Sequence, residues 1–327
     1  MGAGSRQSYA ATFPPDRYYC LLDELPLHLI PRPASREHRI TPQGLVFNPE
    51  CTLCSDGHLP DEMSPLQESL SRFALQGSIA WVRDAATRCL LPFWLGPKLE
   101  AVLKSYVRGE FLSSAMPETV RHRLQQAGIL IAMDRVAHPC GAVDRIGESA
   151  ALFQKRGYAP LPELIHPYHV AALRRYYRYL IRSGELRLGD KQSDRRYVAY
   201  NEPVARFFHQ HIARWMAVVA GRPVKPSYVY LASYLSGAEL RKHTDRVQCE
   251  YSVTFCLDFS PEPVLETPWP IRLETADGTV TVYQALSDGL AYRGTQVPHS
   301  RGRLGDGQTS TSIFFHYVPA DFSESLE

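Results

Sequence analysis

Long apolar runs are missing from this sequence of 327 residues. No stretch approaches the ~20 consecutive apolar residues that cross a bilayer, which argues against a membrane partner. The opening segment, MGAGSRQSYAATFPPDRYY, has no apolar core of the kind a signal peptide needs. Gly2 does not complete a myristoylation pattern either, because Arg6 stands where Ser or Thr is required. Cysteine is sparse: seven, an odd number scattered along the chain, do not make the disulfide framework of a small secreted domain. A reducing cytoplasm is therefore the expected location. Charge of one sign is not in excess, and a formal net charge of +2 argues against a nucleic-acid partner. What is present, 44% hydrophobic and 21% charged residues, is the composition of a folded globular chain, with length for one large or two ordinary domains.

The first ~60 residues are Pro-rich and carry little periodicity. From Leu66 to Met133 the spacing turns helical, with Leu99, Val102, Leu103 and Tyr106 on one face and Ser113 or Ser114 placed to cap a further helix. One or two short strands, such as Ser78 to Val82, interrupt it. The segment His138 to Gly147 reads as a linker. We therefore expect a smaller, mainly helical domain over 1–145, placed to recognise a peptide or other substrate, and a second domain over 146–327. The second begins with helices near Pro162 to Ser183 and Glu202 to Ala220. Short runs rich in β-branched and aromatic residues follow, at Tyr228 to Tyr234, Cys249 to Leu257, Pro270 to Glu274, Thr279 to Gln284, Leu290 to Arg293 and Ser312 to Val318. Turn residues at Ser236-Gly237, Asp277-Gly278 and Gly305-Asp306-Gly307 separate them. In Tyr251, Val253, Phe255 and Leu257 every second residue is apolar, giving a core-facing side. The fold class is α+β: a jelly roll with supporting helices.

His243-Thr244-Asp245 sets an imidazole and a carboxylate two residues apart, and in a strand such positions share a face. His299, behind Pro298 at the start of a later strand, is the candidate third ligand. Two neutral nitrogens and one carboxylate on one side of an ion leave the opposite positions open, which suits iron(II) that must bind cosubstrate and O2. The competing reading is a His-x-Asp surface hydrogen bond.

The run from Tyr234 through Gly237, Leu240 and His243 to Asp245 resembles the Y-x-x-G-x-x-L-x-x-H-x-D segment of iron(II)- and 2-oxoglutarate-dependent oxygenases. Trp269-Pro270-Ile271 and Asp277-Gly278 are similar to the middle of that domain. Leu286 to Gly294 resembles its L-x-x-G-D-x-x-x-Y-x-G strand, with Ser287 where Gly is usual. His299-Ser300-Arg301 and Phe315-His316-Tyr317-Val318 resemble the closing segments of a bacterial, prolyl-hydroxylase-like branch. The resemblance covers residues 160 to 320 and implies a double-stranded β-helix. It also implies iron ligands His243, Asp245 and His299, the cosubstrates 2-oxoglutarate and O2, and hydroxylation, desaturation or cyclisation at an unactivated C–H bond. The substrate would be an amino acid, peptide or natural product, free or bound to a carrier or leader. Related halogenases lack the carboxylate, so Asp245 argues against halogenation. Two alternatives stay open: a non-catalytic binding member of the fold, and an iron oxygenase that uses no 2-oxoglutarate.

One departure matters. Most members carry an Arg or Lys about ten residues beyond the second His, to grip the far carboxylate of 2-oxoglutarate. Here that region, Gln308 to Ile313, offers only hydroxyls, those of Thr309 and Thr311 among them. Period-2 geometry puts Arg301 on the face of His299 and Arg241 on that of His243. Arg301, helped by the phenol of Tyr234, is the expected carboxylate grip, against an ion pair of Arg301 with Asp306. Other features have plain readings. Arg174, Arg178 and Arg182 form a basic helix stripe that is either an acidic-substrate dock or a solvated face. Cys51-x-x-Cys54 with His58 is half a zinc pattern at most. His209 and His211 diverge on a helix, and His316 is a hydrogen-bonded core histidine or a group close to the iron.

Overall fold

A computed structural model describes residues 13–24, 44–84, 87–107, 116–133 and 142–326. The Ser113/Ser114 cap and the first part of the linker, residues 138–141, lie outside the described residues. The chain divides into two units. The first comprises Met1–Gln67, Arg72–Cys140 and Pro167–Ala172, and the second the remainder.

In the first unit, β1 (Leu45–Phe47) pairs with β5 (Leu130–Ala132). A three-stranded antiparallel sheet joins β2 (Cys51–Ser55), β3 (Ser78–Arg83) and β4 (Leu90–Leu95). Helices α1 (Pro97–Val107) and α2 (Glu118–Gln126) keep the helical rhythm read from the sequence, with Leu99, Leu103 and Leu124 buried. The helical reading of Leu66 to Met133 does not hold over Leu90–Leu95, where six buried residues in succession form a strand. A continuous apolar run of that length fits a strand buried on both faces as well as a helix, and periodicity alone does not separate the two. Trp81 and Trp94 are fully buried, and Trp94 donates its indole N–H to the carbonyl of Ala74 at 2.5 Å.

The second unit contains α3 (Ala142–Arg156), β6 (Tyr158–Leu161), most of α4 (Pro167–Arg182), β7 (Arg187–Leu188), β8 (Arg196–Tyr200) and α5 (Pro203–Ala220). Strands β9 (Val224–Tyr234), β10 (Leu240–His243), β11 (Tyr251–Ser260), β12 (Ile271–Thr275), β13 (Gly278–Val282), β14 (Gly289–Arg293), β15 (His299–Arg301) and β16 (Thr309–Pro319) follow. Seven strands form one sheet in the order β6-β14-β11-β16-β9-β8-β7, and four form another, β10-β15-β12-β13. From β9 onward, successive strands pass between the two sheets, with the β12–β13 hairpin the one exception. That alternation is a double-stranded β-helix.

Both faces of β11 are buried, which alters the meaning of its alternation. Its apolar residues face the helices: Tyr251 meets Phe153 of α3, and Phe255 meets Phe315, which in turn packs on His209 of α5. The small polar residues Ser252, Thr254 and Cys256 take the other side, toward β10 and β15. The barrel interior is therefore the more polar face. Helix α5 is fixed at its start by the carboxylate of Glu202, which accepts the Ala205 N–H at 3.0 Å and the hydroxyls of Tyr176 and Tyr177 at 2.9 and 2.5 Å. Burial raises the pKa of Glu202. Gly221, at φ 69°, closes the helix in the left-handed conformation.

Two arginines of the stripe on α4 are paired, and the third, Arg182, is exposed. Arg174 and Arg178 converge on Asp258 of β11 at 2.9 and 2.6 Å, and Arg174 also reaches Glu262. Tyr177 and Leu180 turn inward.

Candidate active site

Strands β10 and β15 run antiparallel with His243 opposite His299, and the two rings lie 4.3 Å apart. Strand β10 ends at His243, so Asp245 lies beyond it and does not share a pleat with His243. Its position comes from elsewhere: its backbone N–H donates to the carbonyl of Gly294 at 2.9 Å. The convergence read from the sequence is present, but a chain turn produces it and not strand periodicity.

The Nε2 atoms of His243 and His299 stand 3.7 and 3.6 Å from Asp245 Oδ1. Those separations are too long for hydrogen bonds. They fall within the ~3–4 Å window that two bonds of ~2.1 Å to one ion permit. Each ring donates its other nitrogen to a carbonyl two residues earlier, His243 Nδ1 to Arg241 at 2.8 Å and His299 Nδ1 to Val297 at 3.1 Å. A carbonyl only accepts, so both Nδ1 atoms carry the proton and both Nε2 lone pairs can turn to a metal, that of His299 with the Tyr292 hydroxyl beside it at 3.5 Å. Burial lowers the pKa of His299 against the opposing pull of Asp245, which keeps the ring neutral. This donor set fits iron(II).

The second carboxylate oxygen is also held. Ser252 Oγ donates to Asp245 Oδ2 at 2.7 Å and accepts from His316 Nδ1 at 2.9 Å. Gly294 makes room for this arrangement, since a Cβ there would lie 2.5 Å from Asp245 Oδ2 and 2.7 Å from Ser252 Oγ. Ser287, at the other position where the resembled motif favours Gly, does take a left-handed φ of 80°.

A cavity of about 580 Å3 opens on the triad. His243, Asp245 and His299 line it, together with Tyr234, Tyr292 and His316 among others. Arg301 shares the buried face of β15 with His299 and does not itself line this cavity. It donates to the carbonyl of Trp269 at 2.6 Å and to Gln284 Oε1 at 2.9 Å. Among the described residues no carboxylate pairs with it, and the Asp306 alternative fails because Asp306 is exposed and faces Arg303. Burial lowers even this guanidinium's pKa. Nearby on the interior side of β11, the buried hydroxyl of Thr254 has no hydrogen-bond partner. Arg241 departs from the sequence reading. A register irregularity between Leu240 and His243 breaks the period, and Arg241 points outward beside Glu239, 92% exposed. Thr311 bonds Ser233 at 2.8 Å.

Sequence reasoning missed Arg196. It is buried on the cavity wall, donates to Tyr234 Oη at 3.0 Å and pairs with Asp190. Asp190 is held at a pKa of about 2, its burial outweighed by bonds from Tyr230 and Arg196. A polar loop followed by two arginines carries no periodic signal that would have singled it out. Cys51 and Cys54 are free thiols and His58 bonds the carbonyl of Ser55, and among the described residues the three make no metal-binding cluster. His209 and His211 bond separate carbonyls and do not pair.

No family model matches the sequence, and no curated protein matches it. Among solved structures, it is similar to the α-ketoglutarate-dependent epimerase SnoN from nogalamycin biosynthesis, at a TM-score of 0.45 and 15% identity, over 54% of this chain and 84% of that one. A Pseudomonas putida prolyl-4-hydroxylase gives 0.44 and 17%, over 52% of this chain and 98% of its own. HygX from Streptomyces hygroscopicus, solved with nickel, 2-oxoglutarate and hygromycin B, gives 0.43 and 14%, over 54% and 88%. Each likeness is confined to about half of this chain.

Proposed function

We propose that this chain is an iron(II)- and 2-oxoglutarate-dependent oxygenase that hydroxylates, desaturates or cyclises a small molecule or peptide side chain at an unactivated C–H bond. The observation that carries the reading is the meeting of two imidazole Nε2 atoms and one carboxylate oxygen at separations too long for hydrogen bonds, with both lone pairs directed inward. His243, Asp245 and His299 would hold the iron. When bound, the iron supplies O2 activation coupled to conversion of 2-oxoglutarate to succinate and CO2.

The protein's own groups bind and orient. Ser252 and His316 hold Asp245 in one rotamer. Arg301 is a buried cation without an anionic partner among the described residues, an arrangement that costs several kcal/mol until a carboxylate arrives. The far carboxylate of 2-oxoglutarate would supply that anion, with the phenol of Tyr234 and the unpartnered hydroxyl of Thr254 completing its hydrogen bonds. Aromatic walls formed by Tyr230, Tyr234 and Phe314 limit water around the reacting C–H bond.

Anaerobic iron titration followed by a succinate assay tests the assignment. One iron per chain is expected, with slow succinate release in air and loss of both in Asp245→Ala. Iron uptake unchanged by that substitution would overturn the site, and iron without succinate would leave an oxygenase that uses another reductant.

A further inference from the structure

Next to the triad cavity lies a second groove of about 670 Å3, and His243, Leu240, Lys191 and Gln192 line both. Its wall is strongly basic. Lys191, Arg195, Arg241 and Arg303 face two acids, Asp194 and Glu239. In a chain whose formal net charge is only +2, such a concentration is local and not compositional.

Two of these arginines meet over Gly237. Arg303 Nη2 and Arg195 Nη1 come within 3.2 and 3.3 Å of the point that a Cβ on Gly237 would occupy. Arg195 donates to the carbonyl of Ser236 at 3.2 Å, and no carboxylate pairs with it among the described residues. Among the described residues Arg303 pairs only with Asp306, at 3.8 Å and on the open surface. Arg241 has Glu239 at 3.6 Å. Exposed pairs of that length contribute little. Two guanidinium groups drawn to one point repel one another unless an anion lies between them. A monocarboxylate is matched by one guanidinium fork, whereas a phosphate monoester presents a charge near −2 and three acceptor oxygens, enough for both.

We propose that this groove, with Arg195 and Arg303 as its centre, binds the phosphate group of a phosphorylated small-molecule substrate whose reacting C–H bond reaches past His243 into the triad cavity. The proposal rests on the oxygenase reading for its substrate role, but phosphate binding here requires neither metal nor turnover.

Calorimetric titration of the full chain with phenyl phosphate, inorganic phosphate and acetate tests it. Phenyl phosphate should bind, acetate should bind at least tenfold more weakly, and the double variant R195Q/R303Q should lose about tenfold in phenyl phosphate affinity while taking up iron normally. Phenyl phosphate binding should survive Asp245→Ala, so failure of the metal site and failure of the groove are read separately. Equal affinity in the double variant, equal affinity for acetate, or binding of inorganic phosphate without the ester would each overturn the proposal. A charge-reversed pair, R195E/R303E, should abolish binding altogether, and retention there would also sink it.

Discussion

His243 and His299 use the same local device: each ring donates Nδ1 to the carbonyl two residues before it and turns Nε2 toward Asp245 Oδ1. The tautomer is thereby set by the backbone before any metal arrives. A preset lone pair removes a reorganisation cost from metal binding. The carboxylate has no such backbone device, so its orientation depends on Ser252 and on the space left by Gly294.

Ser252→Ala should therefore weaken iron binding by ~10–100-fold while leaving the fold intact, because the substitution removes a hydroxyl and adds no volume. Thermal unfolding with and without iron would separate the two effects. A variant that binds iron as tightly as the parent would show that Asp245 is held by its backbone alone.

Gly294→Ala attacks the same carboxylate by volume. The new methyl would sit 2.3 Å from the Cys249 carbonyl and 2.5 Å from Asp245 Oδ2, contacts that require the turn to shift. We expect a loss of iron affinity at least as large as in Ser252→Ala, together with a stability loss of ~1–3 kcal/mol from overpacking. Denaturant midpoints with and without iron measure both.

Most of the barrel was legible because its strands are turn-bounded and rich in β-branched and aromatic residues, and because the two ligand segments sit at strand ends. The placement of Arg301 on the face of His299 was legible for the same reason, since period 2 holds along β15. Arg241 was misplaced because a register irregularity is a tertiary feature that spacing does not announce. The stripe on α4 was undecidable because the partners of Arg174 and Arg178, Asp258 on β11 and Glu262 just beyond it, lie some eighty residues away. The strand Leu90–Leu95 was hidden by its uniform burial, and the cavity wall at Arg196 by a loop without rhythm.

Arg301 and Arg196 flank Tyr234, and their roles separate by charge balance. Arg196 already has Asp190, whereas Arg301 has no anion among the described residues. Arg301→Met should abolish stabilisation of the iron-loaded protein by 2-oxoglutarate, while changing the stability of the ligand-free fold by only ~1–2 kcal/mol, because removal of an unpaired buried charge offsets lost hydrogen bonds. Arg196→Met should unfold more readily, because it strands the partly buried carboxylate of Asp190, yet retain a response to 2-oxoglutarate. Melting temperatures across a 2-oxoglutarate series decide between them. The opposite pattern would move the carboxylate grip to Arg196.

His209 supplies the expected acid limit of the fold. It is buried against β16, donates Nε2 to the carbonyl of His316 at 2.8 Å, and burial pushes its pKa down to about 3 from 6.5. The unfolded chain binds a proton at the ordinary value and the folded chain does not. Stability from this group is therefore complete above pH 6.5 and is lost as the pH falls toward 3. Each pH unit in that window removes ~1.4 kcal/mol, so at pH 4.5 His209 alone costs ~2–3 kcal/mol. In His209→Gln, which keeps an N–H donor but does not titrate, the urea midpoint should fall less steeply between pH 6.5 and 4.5 than in the parent. Parallel curves for the two proteins would show that His209 does not govern acid unfolding.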